Sequence, residues 1–226
     1  MLLAIDTSSN ACSVALQSGD DIAEKHVVEA RAHTKILLPM ITDLFQDAGI
    51  TAAELDAVVL GNGPGSFIGM RIGASVAQGI AYGAGLKIAP VSSLATVAAE
   101  VIAEQKAEKV LVAQDARMGE VYIGRFHAAA DGLPVAECAE QICPPGQLAD
   151  MDSNYIAAGA AWRRYPELPR PNSSFVPGSA TVEFPRARYL LGLGAAAMAK
   201  NLAIAPEELQ PAYIRMKVAE PPSTQV

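Results

Sequence analysis

Aromatic residues are scarce, at 5% of the chain with a single tryptophan, and charged residues make up only 18%. The first shortage excludes a core built on bulky rings. Alanine and 18 glycines stand in their place, which favours close packing of elements. The second is below the usual quarter of a globular chain. A chain with so little charge either has an ordinary alanine-rich core or hides apolar surface against a partner. Cysteines number three, Cys12, Cys138 and Cys143. They show neither an even count nor zinc-like pairing, so they read as buried or incidental thiols in a reducing cytosol. No apolar run reaches the ~18 residues of a membrane span. The start, Met1-Leu2-Leu3-Ala4-Ile5-Asp6, lacks a basic segment and meets an aspartate too early for a signal peptide.

Histidine is rare as well: His26, His33 and His127. No His-x-x-x-His or His-Glu-x-x-His pair exists, which argues against a helix-borne metal site. No Gly-x-Ser-x-Gly elbow occurs, and no cysteine lies near a histidine in a nucleophile pattern, so hydrolase chemistry has little support. The formal net charge is −7. That surface repels phosphate backbones, so the chain is not expected to bind nucleic acid alone.

What is present in 226 residues, about half of them apolar, suffices for one large or two small domains. Leu2–Ile5, Cys12–Leu16 and Ile22–Val28 read as three strands joined by tight turns, an antiparallel meander. Leu37, Ile41, Leu44, Phe45 and Ala48 then recur with helical spacing, and Gly49 is a plausible stop. Pro39 either kinks that helix or marks its first turn. Ala57–Leu60 is a buried-type strand that runs into Gly61-Asn62-Gly63-Pro64-Gly65-Ser66-Phe67 and a helix to about Gly83. Lys87–Val91 is the next strand, and Ser92 or Ser93 caps a helix through Glu104. This first lobe spans 1–107 and mixes a hairpin edge with parallel crossover strands.

A second lobe is expected over 108–187. Val110–Ala113, a turn at Asp115-Ala116-Arg117-Met118-Gly119 and Glu120–Phe126 repeat the strand–turn–strand opening of the first lobe, a hint of duplication. Tyr155–Ala158 is a later strand. Pro166–Pro185 reads as loop. A final helix over 188–203 is a candidate to complete the first lobe. The tail 219–226 is expected to be mobile.

Two features could carry chemistry. The Gly63-Pro64-Gly65-Ser66 turn precedes a helix, where backbone amides can cradle an anion. It is neither a Walker loop, for no Gly-Lys-Ser/Thr follows, nor a dinucleotide fingerprint, for Ser66 replaces the third glycine. A tight structural turn explains it equally well. Asp6-Thr7-Ser8 follows the first strand, where two-lobed phosphotransferases hold hydrated magnesium. That job also wants glycine in the turn, and neither Asp6-Thr7-Ser8 nor Asp115-Ala116-Arg117 has one. The structural alternative is an aspartate that bonds local amides. Asp6, Ser8, Gly63, Gly65, Ser66 and Asp115 thus form at most a vestigial nucleotide site. Separately, Gly69, Gly73, Ala77 and Ala81 make a small-residue stripe. It suits close approach of a partner helix or of the chain's own sheet.

Several blocks carry a resemblance. They are Leu3-Ala4-Ile5-Asp6-Thr7-Ser8, Cys12-Ser13-Val14-Ala15-Leu16, Arg31-Ala32-His33-Thr34 and Leu37-Leu38-Pro39-Met40-Ile41. They continue with Gly63-Pro64-Gly65-Ser66-Phe67-Ile68-Gly69-Met70-Arg71-Ile72-Gly73, Val91-Ser92-Ser93-Leu94 and Asp115-Ala116-Arg117-Met118-Gly119-Glu120-Val121-Tyr122. Together they resemble the TsaB (YeaZ) family, most densely before residue 125, thinly from 130 to 205, and weakly again at Pro211-Ala212-Tyr213-Ile214-Arg215. The resemblance implies an α/β, two-lobed actin-like and Hsp70-like ATPase (ASKHA, ribonuclease H-like) fold. It implies a cytoplasmic, non-catalytic subunit of the complex that forms N6-threonylcarbamoyladenosine in tRNA beside the anticodon. The implied partners are the related catalytic threonylcarbamoyltransferase subunit (TsaD), a small pathway ATPase (TsaE) and, when alone, a second copy. Contact with tRNA is expected only through the complex. No cofactor of its own is implied, with ATP expected only at complex interfaces. The catalytic relative carries a His-x-x-x-His pair, whereas here His33 is followed at the fourth position by Leu37. The implied interface lies on the first-lobe helices, with Arg31, His33, Leu37, Met40, Ile41, Leu44, Gly69, Met70, Gly73 and Ala77 as candidates. Ile68 departs from the family's usual threonine and weakens any phosphate role for the glycine-rich turn. The rival readings are an ATP-dependent small-molecule kinase and a metallopeptidase. The kinase needs glycine in its phosphate turns, and the peptidase needs the missing ligand pair.

Overall fold

The computed structural model describes residues 1–148, 155–168 and 182–214. The tail expected to be mobile, 219–226, lies outside them, as do Arg215 and residues 169–181 of the expected loop. Strands β1 (Leu2–Asp6), β2 (Ala11–Ser18), β3 (Asp21–Val28), β4 (Ala57–Gly61) and β5 (Lys87–Val91) form one sheet in the order β3-β2-β1-β4-β5. β1 pairs antiparallel with β2 and parallel with β4. β1 is central and buried on both faces, as its unbroken apolar run requires. Alternate residues divide between two cores. Leu3, Ile5, Val14 and Leu16 pack with helices α1 (His33–Ala48) and α2 (Phe67–Ala84). Ala4, Ala15, Val59 and Ala89 face α5 (Ala187–Ala199), which contributes Leu190 and Leu191. The alanine on that face has a physical purpose. A Cβ built on Gly194 of α5 would lie 2.3 Å from a methyl of Val59, so helix and sheet nearly touch.

The second sheet holds β6 (Lys109–Arg117), β7 (Glu120–Ala128), β8 (Pro134–Ala136) and β10 (Ile156–Ala158) in the order β10-β6-β7-β8, with β9 (Gln141–Cys143) also on β7. β6 pairs antiparallel with β7 and parallel with β10. The order β8-β7-β6-β10 therefore repeats β3-β2-β1-β4, in keeping with the duplication hinted at by the two strand–turn–strand openings. Helix α3 (Ser93–Gln105) starts where Ser92 accepts the amides of Leu94 and Ala95. It buries Leu94, Val97, Val101 and Ile102 on Val110, Val112 and Phe126 of the second sheet. The apolar face of α3 therefore packs on the second sheet. The short helix α4 (Ala161–Arg164) packs on the other face of this sheet, beside Tyr155 and Leu168. Pro39 sits well inside α1, not in its first turn. It leaves the Lys35 carbonyl without its helical donor, on an exposed side where water can serve.

Candidate functional site

The β1–β2 turn and the β6–β7 turn, the matching parts of the two lobes, open onto one cleft of about 1160 Å³. Ser8, Pro64, Gly65, Ser66, Phe67 and Ile68 line it from the first lobe, and Asp115, Arg117, Met118, Arg163 and Arg164 from the second. Such clefts are the default place to look for a bound ligand.

Asp6 lies at its base but is sealed, only 1% exposed. Its Oδ1 accepts the amide and hydroxyl of Ser8, both at 2.8 Å, and its Oδ2 accepts the Ser93 hydroxyl at 2.8 Å. Ser93 in turn accepts the Gly63 amide at 3.2 Å. A Cβ on Gly61 would fall 1.9 Å from Oδ2, so the sheet itself closes over the carboxyl. Burial pushes Asp6 up to about 6, against the opposing effect of the Ser8 and Ser93 bonds. This is an aspartate tying a turn together. Sequence reasoning gave Ser93 only a capping role, and its bond to a residue 87 positions away had no local signal.

The glycine-rich turn is stitched to the same corner. The Ser66 amide donates to the Ser8 carbonyl at 2.6 Å, and the Thr7 hydroxyl donates to the Gly69 carbonyl at 2.7 Å. A Cβ on Gly65, Gly69 or Gly73 would sit 2.2, 2.0 or 2.4 Å from atoms of Ser8 and Thr7. The glycines are required because β1's turn presses on α2. Of the two roles open to the small stripe, the geometry favours the chain's own sheet: Gly69, Gly73, Ala77 and Ala81 are buried toward it. His33, Leu37, Met40, Ile41, Leu44 and Met70 are buried too, and among the ten interface candidates only Arg31 is exposed. The Nε2 of His33 bonds the Ala11 carbonyl at 3.1 Å, a structural role. What α1 and α2 do expose is a different set: Leu38, Phe67, Ile68 and Tyr82.

Asp115 is equally engaged. Its Oδ1 accepts the Arg117 amide at 2.8 Å and the Tyr165 hydroxyl at 2.7 Å. Its Oδ2 pairs with Arg117 at 3.1 Å and Arg164 at 3.2 Å. Arg163 pairs with Glu183 at 2.7 Å. Sequence reasoning missed Arg163 and Arg164 as cleft residues; their adjacency was the one available signal. Among the described residues no group of three or more His, Cys, Asp or Glu side chains is arranged to hold a metal ion. No described helix is long and apolar enough to cross a membrane.

Two lobes of one repeated topology, meeting at a cleft between their first turns, define the actin-like ATPase (ASKHA) class of fold. A family model described as TsaD, tRNA N6-adenosine threonylcarbamoyltransferase, matches residues 27–218. Relatives named tRNA threonylcarbamoyladenosine biosynthesis protein TsaB, from Haemophilus influenzae and Escherichia coli, are each 34% identical and align over 96% of this chain. The alignments cover 94% and 96% of those proteins, respectively. The solved structure of YeaZ from Pseudomonas aeruginosa superposes with a TM-score of 0.86 at 35% identity, covering 94% of this chain and 98% of that one. The chain belongs to the TsaB/YeaZ family of tRNA threonylcarbamoyladenosine biosynthesis proteins.

Proposed function

We propose that within this pathway the chain is a non-catalytic, cytoplasmic subunit that scaffolds the related TsaD-type transferase and helps recruit the small ATPase TsaE. The observation that carries the reading is the engagement of both carboxylates at the cleft. A phosphotransferase of this fold needs a carboxylate free to hold hydrated magnesium and another to act as base. Here Asp6 is sealed among Ser8, Ser93 and Gly61, and Asp115 is committed to two arginines and a tyrosine. That disfavours the kinase alternative, and the lone, internally bonded His33 disfavours a metallopeptidase. No cofactor of its own is assigned. Any ATP acts at interfaces of the complex, and tRNA is engaged through it. In isolation the chain pairs with a second copy, using the exposed faces of α1 and α2.

Depletion of the protein from its own cells, followed by mass spectrometry of tRNA nucleosides, tests the role. Threonylcarbamoyladenosine should fall while other modified nucleosides hold steady. A level of that nucleoside equal to the undepleted control refutes the proposal.

A further inference from the structure

Helix α5 packs on the first sheet and α3 on the second, so the contact between the two helices is part of the lobe junction. One guanidinium there faces two carboxyl groups from different lobes. Arg186, immediately before α5, donates to Glu24 of β3 and stands 4.0 Å from Glu100 of α3. The side chains of Glu24 and Glu100 are only 7% and 11% exposed. Glu24 is well supported. Its Oε1 also accepts the Arg188 amide at 3.1 Å, while the Ser13 hydroxyl accepts the Ala187 amide at 2.8 Å, so the two side chains cap the start of α5. Glu100 lacks such support, since its Oε2 is buried without a hydrogen-bond partner among the described residues. The other titratable groups around the pair are His26 on β3, Glu104 on α3, and Arg188 and Tyr189 on α5. Tyr189 donates to Glu104 at 2.7 Å, a second tie between α5 and α3. One cation cannot neutralise two buried carboxylates, so the closed junction favours a proton on one of them. Glu24 takes the guanidinium and an amide, which leaves Glu100 as the carboxyl that holds the proton.

We propose that this junction of α3, α5 and β3 is a proton-operated latch between the lobes, closed while Glu100 is protonated and opened as that proton passes to solvent. The physical reason is linkage. Burial pushes Glu100 up to about 7 in the closed junction, whereas a Glu100 reached by water has its ordinary value of 4.5. Opening therefore releases a proton, and an equilibrium that releases a proton advances as pH rises. His26 acts with the opposite sign: burial lowers its value, so opening lets it gain a proton at the acid end. Opening parts α3 from α5 and leaves each on its own sheet, α3 on Val110, Val112 and Phe126 and α5 on Ala4, Ala15 and Val59. The two cores survive, which makes this a local opening and not unfolding of the chain.

The test is amide hydrogen exchange of the whole chain at pH 6, 7 and 8, corrected for the intrinsic pH dependence of exchange and read at Ala187 and Arg188. In the wild type these amides should exchange through a local opening, with less protection than the amides of β1. The wild-type opening constant divided by that of Glu100→Gln should rise roughly tenfold from pH 6 to pH 8, the change that a carboxyl moving from about 7 to 4.5 produces. His26 is common to both proteins and cancels in that ratio. Glu24→Gln keeps an acceptor for the Arg188 amide and removes the competing charge, so the response should move to lower pH. A ratio that stays constant across the range overturns the latch, as does a response that Glu24→Gln leaves unmoved. Wild-type protection at Ala187 and Arg188 equal to that of β1 also overturns it, because the junction then opens only with the whole fold. The measurement uses the isolated chain, so its failure leaves the scaffold role standing.

Discussion

Glu100 sits on α3 where the two lobes meet, and it is one residue at which pH acts on the fold. Arg186, at the start of α5, donates to Glu24 of β3 and lies 4.0 Å from Glu100. The Glu100 Oε2, the Arg186 Nε and the His26 Nδ1 are all buried without a hydrogen-bond partner among the described residues. Burial pushes the Glu100 carboxyl up to about 7; Arg186 pulls it down, Glu24 and Glu104 push it further up, and Arg188 pulls it down. Its ordinary value is 4.5, so the folded chain holds this proton more tightly than the unfolded chain does. Stability from this group is therefore fully present below pH 4.5 and is lost as pH rises through about 7. Glu100→Gln keeps the shape and cannot ionise. Its thermal melting profile should be flatter than wild type between pH 5 and 8, with the variant gaining most at the alkaline end. An unchanged slope would show that Glu100 does not titrate in that window.

At the scale of elements, the packing of α2 decides between two roles for its small residues. Gly73 faces the Thr7 hydroxyl and Leu60, and Ala77 and Ala81 are fully buried. A Cβ at Gly73 would already lie 2.4 Å from the Thr7 hydroxyl oxygen and 3.4 Å from a Leu60 methyl, so a leucine there forces these side chains, and the helix above them, to shift. Gly73→Leu should lower stability by about 3 kcal/mol, within the upper range for overpacking. Chemical denaturation reads this directly; a midpoint within error of wild type would mean the helix can tilt away from β1 at little cost. The sequence showed the stripe but not its direction, because small residues suit a partner helix and an own sheet alike. Long periodic elements were legible: β1 to β7, apart from their ends, and helices α1 to α3 and α5 stand where apolar spacing and glycine stops put them. The strands β8 and β9 and the helix α4, of 3 or 4 residues each, are too short to show a period. The turn at Asp115 was drawn too long, since β6 continues to Arg117 across an irregular pairing. Asp6 was recognised as a site residue, and its alternative as a turn-bonding aspartate matches the geometry. The arginines lining the cleft were not legible as a group, because Arg31, Arg117 and the adjacent pair Arg163 and Arg164 lie far apart in the chain and only the fold brings them together.

For the whole molecule, an apolar surface of α1 and α2 is left uncovered by the described residues. The face of α2 opposite the stripe carries Ile68, Ile72, Ser75, Gly79 and Tyr82 at steps of four and three, one side of a helix. Ile68 is 70% exposed and Tyr82 79%, Leu38 of neighbouring α1 is 55% exposed, and Gly79 has open space where a Cβ would be. Apolar side chains left in water on two adjacent helices cost free energy that a second helical pair could recover. On the function proposed above, a symmetric copy of the same patch would close into a two-fold pair, and a relative of the same fold would replace one copy. Charge placed there acts on association and leaves the cores alone, because neither side chain contributes to them. Ile68→Asp combined with Tyr82→Glu should therefore melt like wild type and sediment as a monomer under conditions where wild type pairs. The same variant should lose capture of the TsaD-type subunit. An uncompensated charge at a packed interface costs several kcal/mol, and about 3 kcal/mol already weakens pairing more than a hundredfold. A variant that still pairs with both partners rejects this face as the interface. One that keeps the homodimer but loses the transferase would place the two contacts on different residues.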